Sequence, residues 1–171
     1  MSRAYNFVSL LLFACLALAT EPVVKVLNGS YSGQHLPQFA QDLFLGMPYA
    51  QDTGGQNRFR IPQALNETWE GSRPAKQYSD ACPDHEPDDD ALYGMSENCL
   101  SLNVVRPAGT ALNDRLPIML WIGLPTYNLT YIVQRSVEVG RPIIGASINY
   151  RKGGWGNMYS IEIQVGGSIS E

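Results

Sequence analysis

The sequence predicts an α/β fold, with a βαβ unit in its second half and a more β-rich, irregular region before it. Three stretches carry that prediction. "PIMLWI" (Pro117 to Ile122) is apolar throughout, as in a strand covered on both faces. "NLTYIVQRSVEVG" (Asn128 to Gly140) places Leu129, Ile132, Val133 and Val137 on one helical face. "PIIGASINY" (Pro142 to Tyr150) is a second near-continuous apolar strand. Strand, helix and strand joined by short connections imply parallel strands and a right-handed crossover.

The chain opens with "MSRAYNFVSLLLFACLALAT", a short polar start with Arg3 followed by an apolar run from Phe7 to Ala19. Ala17-Leu18-Ala19 has the small-x-small form of a cleavage site, so residues 1–19 read as a secretory signal peptide. The run is too short to cross a bilayer, and no later stretch approaches the roughly 18 apolar residues of a membrane span. Cleavage would leave a mature chain of about 150 residues, enough for one domain with its own core. Lys and Arg total 12 against 16 Asp and Glu, a formal charge of −4 with no basic patch, which speaks against a nucleic-acid partner.

The other elements follow in order. Pro22 to Gly33 has strand residues on both sides of Asn28-Gly29, a hairpin signal. "DLFLGMPYA" (Asp42 to Ala50) is a short apolar strand ending at Gly46 and Pro48. Gln51 to Glu97 is irregular and rich in Pro, Gly and Asp, and a stretch of that length needs an anchor. Cys82 and Cys99, the two cysteines beyond the signal, supply one as an expected disulfide. Their loop of about 16 residues corresponds to roughly 3 kcal/mol in the chain-entropy account. In "LSLNVVRP" Leu100, Leu102 and Val104 alternate with Ser101, Asn103 and Val105, the period of a half-buried strand. Asn128 suits a helix N-cap; Gly140 followed by Pro142 suits its stop.

Candidate chemistry is sparse. Of the two histidines, His35 lies in a Pro/Gly-rich loop and reads as a surface residue. His85 sits among Asp84, Glu86, Asp88, Asp89 and Asp90, but neither the spacing nor a turn glycine matches a calcium loop, so a solvated acidic loop is expected and no metal site. "KGGWGNMYS" (Lys152 to Ser160) lacks the spacings of phosphate-binding loops and reads as a flexible turn. No G-x-S-x-G occurs, and no cofactor motif is present. Asn28, Asn66 and Asn128 each begin an Asn-x-Ser/Thr acceptor triplet, in keeping with secretion.

Several segments, in the same order, resemble the type-B carboxylesterase family, which includes fungal lipases and cholinesterases. "FLGMPYA" (Phe44 to Ala50) is similar to its F-x-G-I-P-Y/F-A stretch, and "NRFRIPQAL" (Asn57 to Leu65) to its R-F-x-x-P segment. "SENCLSLNVVRP" (Ser96 to Pro107) resembles S-E-D-C-L-x-L-N-V-x-x-P, with Asn98 where Asp is usual. "LPIMLWI" looks like the strand before the oxyanion loop, and "GRPIIGASINYRKGGWG" (Gly140 to Gly156) like the next strand of the fungal lipases.

The resemblance implies an α/β-hydrolase fold, of which residues 20–164 would form the opening part of a mostly parallel central sheet. It implies Cys82–Cys99 pairing, an ion pair between Arg58 and Glu97, and ester or lipid substrates cleaved by a serine, histidine and acid triad. None of the triad has a matching position here. After the W-I strand the family places H-G-G-G/S-F, whose glycines let backbone N–H groups reach the developing oxyanion. Here "WI" leads straight into "GLPTYN", leaving Gly123 as at most one donor. One lost donor costs about 2.7–4 kcal/mol in hydrolases of this chemistry. Residues 165–171 depart from the family pattern. The expectation is therefore a truncated, secreted family member with no triad, inactive alone. The alternative is a non-catalytic secreted binding protein on the same scaffold.

Overall fold

The computed structural model describes residues 21–84, 94–123 and 127–158. The expected signal peptide, His85 with its acidic neighbours from Glu86 to Asp90, and the 165–171 tail lie outside the described residues.

A small sheet comes first, built from β1 (Val23–Lys25), β2 (Ser30–Ser32) and β5 (Ser72–Pro74) in the order β1-β2-β5. β1 and β2 are antiparallel, with Lys25 opposite Ser30 and the Val26 N–H closing the turn on Gly29 O at 2.9 Å. The larger sheet has five strands in the order β3-β4-β6-β8-β7: β3 (Gln34–Leu36), β4 (Gln41–Pro48), β6 (Ser101–Pro107), β7 (Ile118–Ile122) and β8 (Ile144–Ile148). Neighbours are antiparallel from β3 to β8, and β8 and β7 are parallel. Helix α1 (Thr130–Glu138) joins β7 to β8 and packs on β6 and β8.

β4 is apolar because both its faces are covered. Leu43 and Leu45 join Val105, Leu129 and Val133 on the side of α1, while Phe44 and Met47 join Tyr31 and Ala75 on the side of the small sheet. Phe44 and Met47 share a face although three residues apart, because the register slips between them. Gly46, in the slip, has φ +69°, the left-handed region that glycine enters without a Cβ clash. Its N–H, lost to the ladder, donates to Asn103 Oδ1 at 2.8 Å. The strand therefore runs through Gly46 rather than ending at it.

Four expectations change. On β6 the more deeply buried residues are Ser101, Asn103 and Val105, while Leu102 and Val104 are half-buried. Hydrogen bonding makes this possible: Ser101 Oγ meets Ser79 Oγ, and Asn103 Nδ2 donates to Ser147 Oγ at 3.2 Å. On α1, Leu129 and Val133 are buried as expected, but Ile132 and Val137 are exposed, and Thr130 and Ser136 complete the buried stripe. Leu129 and Val133 can face β8 because Gly145 carries no Cβ, which would lie 3.1 Å from both. Ser136 Oγ then accepts from Ile143 N–H at 3.1 Å. Gly140 (φ +70°) ends the helix, with Arg141 N–H returning to Ser136 O at 2.8 Å.

The third change concerns β7. It is the outer strand of its sheet, not one covered on both faces, and Ile118, Leu120 and Ile122 are 52–66 % exposed. The bare edge of the sheet therefore belongs to β7, since β8 has β6 on one side and β7 on the other. An apolar run records that a strand is to be covered; which layer covers it is decided by elements elsewhere in the fold. Fourth, "KGGWGNMYS" opens a short helix, α2 (Gly153–Asn157), rather than a flexible turn.

Candidate functional site

The strand ends Ile122 and Ile148 lie side by side, and the chain leaves both at the same edge of the sheet. Around them Trp121, Ile122, Gly123, Tyr127, Tyr150 and Lys152 line an open cavity of about 220 Å3. The Trp121 and Tyr127 rings meet at 4.6 Å. Gly123 packs under them, since a Cβ at this position would come within 2.7 Å of Trp121 Nε1. Its N–H donates to Ile148 O at 3.1 Å, extending the parallel ladder by one rung. That donor is thus engaged within the backbone. Lys152 Nζ is paired with Asp84 at the rim.

Behind the cavity, the irregular region is held by a dense set of contacts. Cys82 and Cys99 are disulfide-bonded, with Cα atoms 5.0 Å apart, and pack with Ala50 and Leu100. Asn149, just past β8, is 2 % exposed. Its Nδ2 donates to Cys99 O at 3.1 Å and Asp80 O at 3.2 Å, and its carbonyl accepts from Tyr49 Oη at 2.7 Å. One side chain thus ties the end of β8 to both flanks of the disulfide loop. Burial pushes the Tyr49 hydroxyl's pKa up, opposed by the Arg151 charge. Burial also lowers the pKa of Arg151.

Arg58 and Glu97 form a two-pronged pair: Nε donates to Oε1 at 2.6 Å and Nη2 to Oε2 at 2.7 Å. Trp155 Nε1 of α2 donates to the same Oε1 at 2.9 Å, and Thr53 Oγ1 to the Glu97 carbonyl at 2.5 Å. The guanidinium's hydrogen bond is the main reason that Glu97 is held below the usual carboxylate range. The same bond raises Arg58. This network joins the long irregular loop, the strand after Cys99 and the segment after β8.

His35 is distant from all of this. It sits on β3, at the opposite edge of the five-stranded sheet from β7. Its Nδ1 lies 3.0 Å from Asp42 Oδ1, and Arg106 Nη2 lies 3.3 Å from the other carboxylate oxygen. Among the described residues no three His, Cys, Asp or Glu side chains gather as metal ligands. No described helix is long and apolar enough to cross a membrane.

Asn66 and Asn128 are exposed and Asn28 is partly buried. Asn128 Oδ1 accepts from Thr130 N–H at 3.0 Å and Thr130 Oγ1 at 2.6 Å, the start of α1. Sequence reasoning missed Asn149, Tyr49 and Trp155. The one local signal was a lone asparagine closing an apolar run, which marks a buried polar group in need of partners.

Comparison with known proteins places this arrangement. The family model described as the carboxylesterase family matches residues 20–165. A secreted lipase of Arthroderma benhamiae is 35% identical over 167 residues, covering 89% of this chain and 29% of the relative. An inactive carboxylesterase-like protein of Byssochlamys spectabilis is 36% identical over 132 residues, covering 68% of this chain and 23% of the relative. The crystal structure of Aspergillus niger EstA superposes with a TM-score of 0.73 at 28% identity, covering 87% of this chain and 29% of that one. The chain thus spans under a third of the length of these proteins. Its mixed sheet is part of an α/β-hydrolase fold. By its matched sequence and its sheet, this chain belongs to the carboxylesterase family.

Proposed function

We propose that this chain is the N-terminal portion of a secreted carboxylic ester hydrolase, with ester or lipid substrates cleaved by a serine-hydrolase mechanism, and that its 171 residues alone hydrolyse no ester. Residues 1–19 act as the signal peptide, residues 20–164 as the opening of the hydrolase domain, and residues 165–171 as a tail outside the family pattern. The relatives named as lipases support the substrate class. The observation that carries the inactivity is the Gly123 N–H, which is taken up by Ile148 O where an oxyanion donor is needed. The absence of G-x-S-x-G from the 171 residues points the same way.

In this reading Arg58–Glu97, Cys82–Cys99 and Asn149 hold loops at the strand ends and take no part in bond breaking. The test is p-nitrophenyl ester hydrolysis together with labelling by a fluorophosphonate, which marks an activated serine. Neither turnover nor label is expected; turnover that co-purifies with the chain and is lost on labelling would overturn the reading. The relative named as inactive carboxylesterase-like favours a second reading, a secreted binding protein on this scaffold. Saturable binding of a non-hydrolysable ester analogue by the unlabelled, inactive chain would select it.

A further inference from the structure

We infer that Asn66 carries an N-linked glycan in the folded protein and that Asn28, which begins the same kind of acceptor triplet, does not. The two asparagines are equivalent in the sequence and are made unequal by their contacts. Asn28 Nδ2 donates to Glu67 O at 2.7 Å and to Leu65 O at 3.4 Å, the carbonyls on either side of Asn66. Both hydrogens of that amide are therefore turned into the fold. Its own carbonyl accepts from Trp69 N–H at 3.0 Å.

The rest of the Asn28 triplet is half-buried. Gly29 lies against Trp69, where even a Cβ would come within 2.4 Å of the indole. Ser30 belongs to β2, and its carbonyl accepts from Trp69 Nε1 at 3.0 Å. Arg73 covers the other side of that indole at 4.2 Å and pairs with Glu67 at 2.5 Å. A sugar on Asn28 Nδ2 would replace one clamping hydrogen and push against the loop the clamp holds.

Asn66 is at the outer side of that loop. It is exposed, as are Glu67 and Thr68, so its triplet is open to solvent. It lines an open groove of about 330 Å3 with Gln51, Asp52 and Asn98. In the transfer a C–N bond forms between Asn66 Nδ2 and the anomeric carbon. The bond from that carbon to the pyrophosphate of a lipid-linked oligosaccharide breaks, and the amide nitrogen gives up one proton. A chain already glycosylated at Asn28 cannot close this clamp, so the chain that folds is the one modified at Asn66 and bare at Asn28.

The inference depends on entry into the secretory pathway and not on ester hydrolysis. In the test the full chain follows a heterologous leader in a eukaryotic host, so failure of its own N-terminal segment as a signal is scored separately. Soluble product is treated with peptide N-glycosidase in heavy-oxygen water, which converts each glycosylated Asn to labelled Asp, and is mapped by mass spectrometry. Label at Asn66 and none at Asn28 is expected; label at Asn28, or an unlabelled Asn66, overturns the inference. Ser30→Ala removes the Asn28 triplet while keeping its clamp, and should leave the glycan mass unchanged. Thr68→Ala should remove one glycan. Loss of a glycan in Ser30→Ala, or none in Thr68→Ala, is equally fatal to it.

Discussion

Gly123 N–H donates to Ile148 O at 3.1 Å, so the last rung of the β7–β8 ladder lies in the loop where a family hydrolase needs a free donor. The same glycine is required for packing, with a Cβ meeting Trp121 Nε1 at 2.7 Å. Trp121 is 42% exposed and has room to swing outward. Gly123→Ala is therefore expected to keep the backbone bond and change stability by no more than about 0.5 kcal/mol, the range of surface changes. It should nevertheless abolish the near-ultraviolet circular dichroism that arises from the Trp121–Tyr127 contact. A large fall in urea midpoint with an unchanged aromatic spectrum would contradict this.

Asn149 should matter far more. Asn149→Ala leaves the buried Cys99 O without its donor, while Asp80 O keeps the Ser79 hydroxyl. An unsatisfied buried group costs about 1–3 kcal/mol, and a loss of that size is expected from urea unfolding. Hydrogen exchange should accelerate first in the disulfide loop, because Asn149 is its tether to β8. Uniform acceleration along the chain would argue against that role.

The Arg58–Glu97 pair makes an acid-dependent contribution. Glu97 has a lowered pKa in the fold, chiefly through Arg58. Its contribution is fully present above the ordinary glutamate value of about 4.3 and is lost as pH falls through the lowered one. Arg58 is half exposed, so solvent screening keeps the effect small. Glu97→Gln removes the titration. The gap in urea midpoint between wild type and variant should be widest near neutral pH and shrink under acid conditions; a gap independent of pH would exclude the linkage.

β7 presents an apolar face and the outer edge of its sheet. Such edges template pairing with another chain, and a lysine interrupts them. Leu120→Lys, at a position 52% exposed, should change stability by no more than about 0.5 kcal/mol. Light scattering should show slower, less concentration-dependent association. Equal association of variant and wild type would place the sticky surface elsewhere.

Much of this protein is written in local sequence. The run from Pro142 to Tyr150 marks the strand that forms as Ile144–Ile148, and Gly140 stops the helix in the conformation that returns Arg141 N–H to Ser136 O. The residues of the N-C-L-S-L-N-V stretch likewise identify the family. Tertiary structure decided what two distant segments must agree on. Whether Ile132 or Thr130 is buried depends on the absence of a Cβ at Gly145. Whether β7 is covered depends on where α1 lies, and which acceptor asparagine is free depends on carbonyls 37 and 39 residues away. Periodicity and capping arise from short-range sterics and backbone hydrogen bonding, which a stretch of chain carries with it. Burial and hydrogen-bond satisfaction are set by partners that meet only when the chain has folded.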